Sequence, residues 1–388
     1  MLKTGSLLMA LLFSTALVWS EGRDHLLQID QPATSSPLQF MNGVNYCSYW
    51  KDDYQSEYSP RSLVKVRQAG CDWVSILVTW YQEDELTTRI SPHADLTPTD
   101  AALKKAIADA KGLSLHVALK PHVDLLNGEW RGYIGRGVPD EQFDTFFSEW
   151  FESYRNYIDH IASVGEAEGA ELLFTGTEYV EILNRENGKT IPAWIAYFND
   201  LRKTFSGKLS YCADRRHWPD TASVTEKTQF VPFFQALDYI GIDAYWTLSH
   251  NENPTTRELI EGWMEPMAVI TTMHASYGRD VILSELGYRS IDKCHMNPWD
   301  YMIDRPVNEE AQKRCYLAFY RAFSGKPWLS GVFWWNWIPF LEEDIRNPSS
   351  PEWLKNKLPE YEKGYTPEGK SAQSILKTHA SLFGFHIY

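Results

Sequence analysis

The chain has 388 residues, and 44% of them are hydrophobic, which suffices for a large folded core and excludes a disordered chain. It carries 37 Lys and Arg against 51 Asp and Glu, a net charge of −14. A surface of that sign repels phosphate, so we expect neither nucleic acid nor a membrane as partner, and a neutral or cationic ligand instead.

The first twenty residues indicate a targeting segment and not a part of the fold. Lys3 supplies a basic start, Leu7 to Val18 form an apolar run, and cleavage after Ser20 follows the pattern of a signal peptide. A membrane anchor is the weaker interpretation, because a span needs about 20 apolar residues. Residues 21–38 predict a flexible leader, and residues 39–388 a single secreted domain, extracellular or periplasmic.

Apolar runs typical of buried parallel strands alternate with helix-like stretches along the rest of the chain. The predicted strands are Asn42–Tyr46, Trp73–Trp80, Leu115–His122, Leu172–Glu178, Leu209–Ala213, Tyr239–Tyr245, Val281–Leu286 and Val332–Trp337. The predicted helices lie near 60–70, 99–112, 140–165, 192–205, 256–277, 307–323 and 370–380, with a weaker one at 221–236 and a loop at 340–370. Eight such repeats predict an α/β protein, a single (β/α)8 TIM barrel over residues 39–388.

The alternative fold is a doubly wound open sheet, which would place a glycine-rich, phosphate-binding turn after the first strand. Here bulky Tyr49 and Trp50 follow that strand, so the barrel is favoured. In a barrel of this kind, functional side chains lie at the carboxyl ends of the strands. The strand ends are therefore the place to look for chemistry.

Two glutamates, Glu178 and Glu285, end strongly apolar runs on the fourth and seventh predicted strands. These strands lie across the barrel mouth from each other, so the two carboxyls would face one substrate. Glycoside hydrolysis requires such a pair, because one carboxyl protonates the leaving oxygen while the other attacks the anomeric carbon or activates water. A salt bridge or a helix cap is the alternative role for each glutamate, and it is weaker for two together beside aromatic residues.

Three motifs give the chain a resemblance to glycoside hydrolase family 113, a family of clan A retaining β-glycosidases whose described members are mainly β-mannanases. They are Gly176-Thr177-Glu178, the segment 283–290 around Glu285, and the segment 331–337 with its three tryptophans. The resemblance implies that Glu178 is the acid/base and Glu285 the nucleophile, with the carboxyls about 5–5.5 Å apart; about 6.5–9.5 Å would indicate inversion.

The resemblance further implies a β-1,4-mannan polysaccharide or oligosaccharide as substrate, with no cofactor, no metal and a monomeric enzyme. Two other interpretations stay open. One is a clan A enzyme of another specificity, such as a β-glucanase or a β-mannosidase. The other is a carbohydrate-binding barrel without turnover, which the presence of both carboxylates argues against.

Sugar binding requires aromatic platforms and hydrogen-bonding groups, and the chain holds 16 Trp and 21 Tyr. We expect Trp337 to lie under the sugar that is attacked. Tyr245 and Arg289 are the candidate donors that keep Glu285 ionised. The full set of predicted substrate-binding residues is Trp337, Trp335, Trp246, Tyr245, His122, Trp80, Arg289 and Asn336.

Five cysteines have no spacing typical of a zinc site. Cys294 and Cys315 are candidates for a disulfide in an oxidising compartment, and free thiols are the equal alternative. The sequence also has no Walker loop, no GxSxG elbow and no HExxH motif, which excludes the chemistry that depends on them.

Overall fold

The computed structural model of the chain describes residues 40–185, 188–214 and 232–380. The chain divides into two units, Met1–Leu38 and Gln39–Tyr388, and every element below belongs to the second. The predicted signal peptide and leader, and most of the predicted helix at 221–236, lie outside the described residues. Within those residues, no helix has the length and apolarity needed to cross a bilayer.

Eight parallel strands close into a barrel in chain order, because their side chains are apolar on both faces and each strand is buried almost throughout. This confirms the predicted (β/α)8 architecture. The strands are β1 (Met41–Tyr46), β2 (Trp73–Gln82), β3 (His116–Leu125), β4 (Leu172–Thr177), β5 (Lys208–Asp214), β6 (Ile240–Asp243), β7 (Val281–Leu286) and β8 (Leu329–Trp337).

The helices surround the barrel and cover its outer face. They are α1 (Tyr58–Gln68), α2 (Asp100–Gly112), α3 (Asp140–Glu168), α4 (Val180–Asn184), α5 (Ile191–Leu201), α6 (Thr256–Glu261), α7 (Met264–Tyr277), α8 (Glu309–Phe323), α9 (Glu342–Arg346), α10 (Glu352–Lys355), α11 (Leu358–Lys363) and α12 (Gln373–Ala380).

Two helical predictions differ from the structure. The predicted helix at 256–277 is divided at Gly262, where a Cβ atom would lie 1.9 Å from the carbonyl oxygen of Leu248, so the turn there admits only glycine. The predicted loop at 340–370 contains α9, α10 and α11, packed around a small separate core that includes Phe340 and Leu354. These helices are four to six residues long, too short for a periodic pattern to reveal them.

The interior of the barrel is filled at its amino-terminal end by apolar side chains. Phe174 and Phe333 meet edge to face with their ring centroids 5.5 Å apart. Above them the filling becomes polar and charged, beginning with Lys120, whose Nζ atom lies 5.3 Å from the centre of the Phe174 ring. The fold therefore closes one end of the barrel and leaves its chemistry at the carboxyl ends of the strands.

Cys294 and Cys315 are free thiols in the structure. Their sulfur atoms lie 3.8 Å apart, between the loop that follows β7 and helix α8. Of the two alternatives, a disulfide or free thiols, the structure has free thiols, and the two cysteines are neighbours as the sequence suggested.

Candidate active site

Glu178 directly follows β4 and is directed into the barrel mouth by an irregular backbone. The register between β4 and β5 shifts between Phe174 and Thr177, and Glu178 has φ of +60°. This region is costly for a residue with a side chain, and residues held in it cluster at functional sites. Gly176 permits the bend, because a Cβ atom there would lie 2.7 Å from the Tyr179 ring. The local sequence thus places one carboxyl at the rim.

Two donors from the loop after β3 bind the carboxylate of Glu178. The indole Nε1 of Trp130 donates to Oε2 at 2.9 Å, and the guanidinium of Arg131 donates to the same oxygen at 3.0 Å. Arg131 also binds the side chain of Asp124, which fixes its position. Both donors that the described residues supply lie on Oε2, so Oε1 is the oxygen left to carry a proton.

Burial is the main cause that raises the pKa of Glu178, from 4.5 to about 7. The negative charges of Asp214 and Glu285 act in the same direction, whereas the positive charge of Arg131 lowers this pKa. Glu178 therefore holds its proton near neutral pH, as a general acid must. Glu285 acts on this pKa as a near neighbour, which agrees with the opposed positions of β4 and β7.

Glu285 lies on β7, and three side chains surround its carboxylate. Lys120 Nζ lies 2.8 Å from Oε1, His122 Nε2 lies 3.5 Å from the same oxygen, and the Tyr245 hydroxyl donates to Oε2 at 2.8 Å. The prediction that Tyr245 is a hydrogen-bond donor to Glu285 is therefore confirmed. Burial raises the pKa of Glu285, but the charge of Lys120 and the contact with His122 outweigh burial and lower this pKa to about 2.

Lys120 is fully buried at the centre of the barrel and is the principal cation of the site. Its Nζ atom also lies 3.4 Å from Asp243 Oδ1 and 3.2 Å from the carbonyl oxygen of Ser284. Burial lowers the pKa of Lys120. The carboxylates of Asp243 and Glu285 raise this pKa by more than burial lowers it, so the ammonium stays charged. The Ser284 hydroxyl donates to Asp243 at 2.8 Å and completes the cluster.

His122, which contacts Glu285, stacks against the ring of Trp335. Their rings are nearly parallel, with an interplanar angle of 4° and centroids 5.9 Å apart. Burial, together with the charge of Arg131, lowers the pKa of His122 to about 4, so the imidazole is neutral at pH 7. Asn336 follows Trp335 through a cis peptide bond and shares a hydrogen bond with the Tyr49 side chain. Trp335, His122 and Asn336 therefore lie close together at the carboxyl ends of β3 and β8, and their role in substrate binding stays a prediction.

Trp337 lies outside the mouth, which contradicts the prediction that it stacks on the sugar. Its side chain is fully buried, and its indole donates to the hydroxyl of Ser62 in α1 at 3.0 Å. The reason is a bulge in β8, because Val44 pairs with Trp334 whereas Tyr46 pairs with Trp337. Strict alternation would put Trp334 and Trp337 on opposite faces, but the extra residue turns both toward the helices.

Trp80 and Trp246 also point away from Glu285, contrary to prediction. Trp80 stacks on Tyr157 of α3 with ring centroids 4.7 Å apart. Trp246 packs against Trp263, which lies in the chain between α6 and α7, and their ring centroids are 6.2 Å apart. Neighbouring residues of an extended chain face opposite sides, so Tyr245 reaches Glu285 and the residue after it faces the helices.

Arg289 does not act on Glu285. Its guanidinium donates to the backbone carbonyls of Ile303 and Lys363, and so joins the loop after β7 to α11. The cation beside Glu285 is Lys120 instead. The sequence does contain a signal for this residue, because Lys120 interrupts an apolar strand whose neighbours are buried on both faces. A charge in that setting is rarely tolerated without a partner.

Trp130 was only a weak candidate from the sequence and Arg131 was missed, because both come from a loop and no periodic pattern places a loop side chain. Among the residues that the structure describes, no group of His, Cys, Asp and Glu is arranged to hold a metal ion. The site consists of Glu178, whose pKa is raised, and Glu285, whose pKa is lowered beside the buried Lys120, with Trp335 nearby on the ring of His122. Such an arrangement can donate a proton from one side and a nucleophile from the other.

The sequence and the fold of the chain were compared with those of known proteins. The sequence profile of Glycoside Hydrolase Family 113 matches residues 46–351. A GH113 β-1,4-mannanase solved as a complex matches with a TM-score of 0.73 and 22% identity, over 89% of this chain and 99% of that one. AaManA, a GH113 β-mannanase from Alicyclobacillus acidocaldarius solved with ManMIm, gives a TM-score of 0.71 and 21% identity over the same shares.

A family 5 mannosidase from Rhizomucor miehei is more distant, with a TM-score of 0.57 and 11% identity over 89% of this chain and 93% of that one. At these identities the three structures establish the barrel fold. No curated protein matches the chain by sequence.

Proposed function

Because the chain belongs to glycoside hydrolase family 113, we propose that it is a retaining β-mannanase in which Glu178 is the acid/base and Glu285 the nucleophile. That the chain is a glycoside hydrolase follows from the family; the residue roles and the substrate are the proposal. The observation that carries it is the opposite setting of the two carboxyls, with a pKa of about 7 for Glu178 and about 2 for Glu285. At neutral pH one is an acid and the other an anion.

In the first step, Glu178 gives its proton to the glycosidic oxygen as the bond to the anomeric carbon breaks. Glu285 attacks that carbon, and an ester between Glu285 and the sugar forms. Loss of the Glu178 proton is supported by the Arg131 guanidinium at 3.0 Å, which stabilises the carboxylate that results. Lys120 stays beside Glu285 and keeps it ionised before the attack.

In the second step, the Glu178 carboxylate removes a proton from a water molecule, which attacks the anomeric carbon and breaks the ester to Glu285. The configuration is inverted twice and so retained. As the ester breaks, negative charge returns to Glu285. Lys120 and the Tyr245 hydroxyl, at 2.8 Å each, stabilise this leaving carboxylate without any movement of the site.

The substrate is proposed to be β-1,4-linked mannan. Two structural neighbours are described as β-mannanases of the same family, and the chain's net charge of −14 suits a neutral polysaccharide better than a polyanion. Trp335, which is partly exposed and stacked on His122, supplies an aromatic ring on which a pyranose can stack. We also propose that the enzyme is secreted, on the signal-like pattern of residues 1–20.

Reducing-sugar release from mannan, glucomannan, β-glucan, xylan and cellulose tests the proposal, with Glu285→Gln as the inactive control. Release from mannan that the substitution abolishes supports the proposed specificity. Release confined to a glucan or xylan would keep the chemistry and overturn the substrate. Binding without release from any polymer would identify a carbohydrate-binding barrel.

The roles of the two glutamates are separable by azide rescue on an aryl glycoside with a good leaving group. In Glu178→Ala, azide replaces water in the second step and gives the β-glycosyl azide. In Glu285→Ala, azide replaces the nucleophile and gives the α-glycosyl azide. The reverse pairing would contradict the assignment.

A further inference from the structure

A second concave surface lies beside the mouth, between the loop after β1 and helix α10. Two large side chains, Trp50 and Trp353, flank a groove of about 650 Å³, a size within the range of about 300–1,000 Å³ typical of ligand sites. They are 51% and 49% exposed. The remaining lining residues are Asp52, Asp53, Gln55, Ser56 and Lys357.

The backbone of Trp50 and the ring of Trp353 are held in place, although both residues are about half exposed. The Ser48 hydroxyl donates to the carbonyl of Trp50 at 2.7 Å, and the amide of Asp53 donates to the same carbonyl at 3.3 Å. Trp353 packs its ring edge to face on Phe340, with centroids 5.4 Å apart. Exposed indoles on a fixed backbone lose little conformational entropy when they bind a ligand.

The groove is connected to the active site through the loop that carries Trp50. The amide of Cys47 bonds to the carbonyl of Trp337 at 2.8 Å, which fixes the start of this loop to the end of β8. The side chain of Tyr49 forms a hydrogen bond with Asn336, the residue that follows Trp335 at the mouth. Successive residues of one short loop thus touch the mouth and flank the groove.

Two of the seven residues that line the groove come from a part of the chain beyond the family match. The GH113 profile ends at residue 351, whereas Trp353 and Lys357 lie on and after α10. Trp50 and the acidic residues of the groove lie within the match. The groove is therefore completed by the segment 352–357, which the family profile does not include.

We propose that this groove binds a sugar unit of the same polysaccharide chain that the active site cleaves, outside the subsites next to the scissile bond. This rests on the proposed function. Indole faces stack on the apolar face of a pyranose, and carboxylate, amide and ammonium groups bond its hydroxyls. The groove carries one net negative charge, from the two carboxylates of Asp52 and Asp53 and the ammonium of Lys357. This charge repels an anionic ligand and leaves a neutral sugar free to bind.

The test compares a polymer with a short substrate. Trp50→Ala, Trp353→Ala and the double variant are assayed on soluble mannan and on an aryl glycoside too short to reach the groove. We expect KM for the polymer to rise at least five-fold in the double variant, while kcat/KM for the aryl glycoside changes less than two-fold. Trp353→Phe retains an aromatic face and should recover most of the polymer affinity.

Binding is measured independently by affinity electrophoresis in gels that contain mannan, with both tryptophan changes in a Glu285→Gln background. Loss of retardation supports the groove. Unchanged KM and retardation in the double variant, while the wild type hydrolyses the polymer, would overturn it. If the wild type hydrolyses another polymer of the panel, the comparison is made with that polymer, so a wrong substrate does not count against the groove. A change of oligomeric state in the double variant, seen by light scattering, would make the groove an interface between copies and also overturn the proposal.

Discussion

Replacing Lys120 by Met should move the acidic limb of the pH–activity profile and leave the alkaline limb in place. In the wild type, the acidic limb belongs to Glu285, whose pKa is about 2, and the alkaline limb to Glu178, whose pKa is about 7. We therefore expect wild-type kcat/KM to be flat from about pH 4 to pH 6. The variant loses the charge that keeps Glu285 ionised.

The size of the shift follows from the ion-pair distance. At 2.8 Å between Lys120 Nζ and Glu285 Oε1, a unit pair in an effective dielectric of about 20 is worth about 6 kcal/mol, or about 4 pKa units. Tyr245 still donates to Glu285 in the variant and retains part of the effect. We expect the acidic limb to appear between about pH 4 and pH 6, inside the range where activity is measurable.

The assay is kcat/KM on an aryl glycoside from pH 3.5 to pH 9. Lys370→Met is the matched control, because Lys370 is another buried lysine, bound to Ser290 Oγ at 2.8 Å and away from both glutamates. Both variants should lose stability, and Lys120→Met by about 3–5 kcal/mol, since it leaves buried carboxylates without their cation. An unchanged acidic limb in Lys120→Met, or an equal shift in the control, would refute the reasoning.

Three further outcomes follow from the same contacts. Arg131→Met should move the alkaline limb upward, because the guanidinium lowers the pKa of Glu178; a downward shift in the pH–kcat/KM profile would contradict this. Glu178→Gln should stabilise the protein by about 3 kcal/mol at pH 8 and hardly at pH 4. The pKa of Glu178 is raised from 4.5 to about 7 in the folded state, so the wild type loses stability as pH rises through this range. Denaturant midpoints at the two pH values measure the difference, and equal midpoint shifts would contradict it. Trp337→Phe should cost about 1–3 kcal/mol of stability and leave KM unchanged, because the indole is buried and bonded to Ser62. Trp335→Ala should instead raise KM. KM and melting temperature are measured for both variants, and the reverse pattern would mean that Trp337 belongs to the substrate site.

The barrel could be predicted from the sequence because the backbone geometry of strands and helices fixes which positions along the chain are apolar. Buried parallel strands are continuous apolar runs, and eight of them in alternation with helices leave few architectures. The same pattern placed Glu178 and Glu285 at the ends of β4 and β7. Helices α10 and α11 were missed because elements of four and six residues carry too few positions to show a period.

The details of the site were harder to predict, for two physical reasons. A single bulge in β8 turned Trp337 to the opposite face, and alternation cannot reveal where an extra residue is inserted. Trp130 and Arg131 reach Glu178 from a loop, whose side-chain directions depend on tertiary contacts. Lys120 was also missed, although a charge inside a fully apolar strand is itself a signal that a buried partner exists.

The central claim is a double displacement between Glu178 and Glu285, and the anomeric configuration of the first product tests it most directly. Proton NMR during hydrolysis of a mannan oligosaccharide in D2O resolves the α and β anomers before they interconvert. We expect the β anomer to appear first and the α anomer to follow only by mutarotation. Appearance of the α anomer first would mean direct attack by water, and would contradict the assignment of Glu285 as the nucleophile.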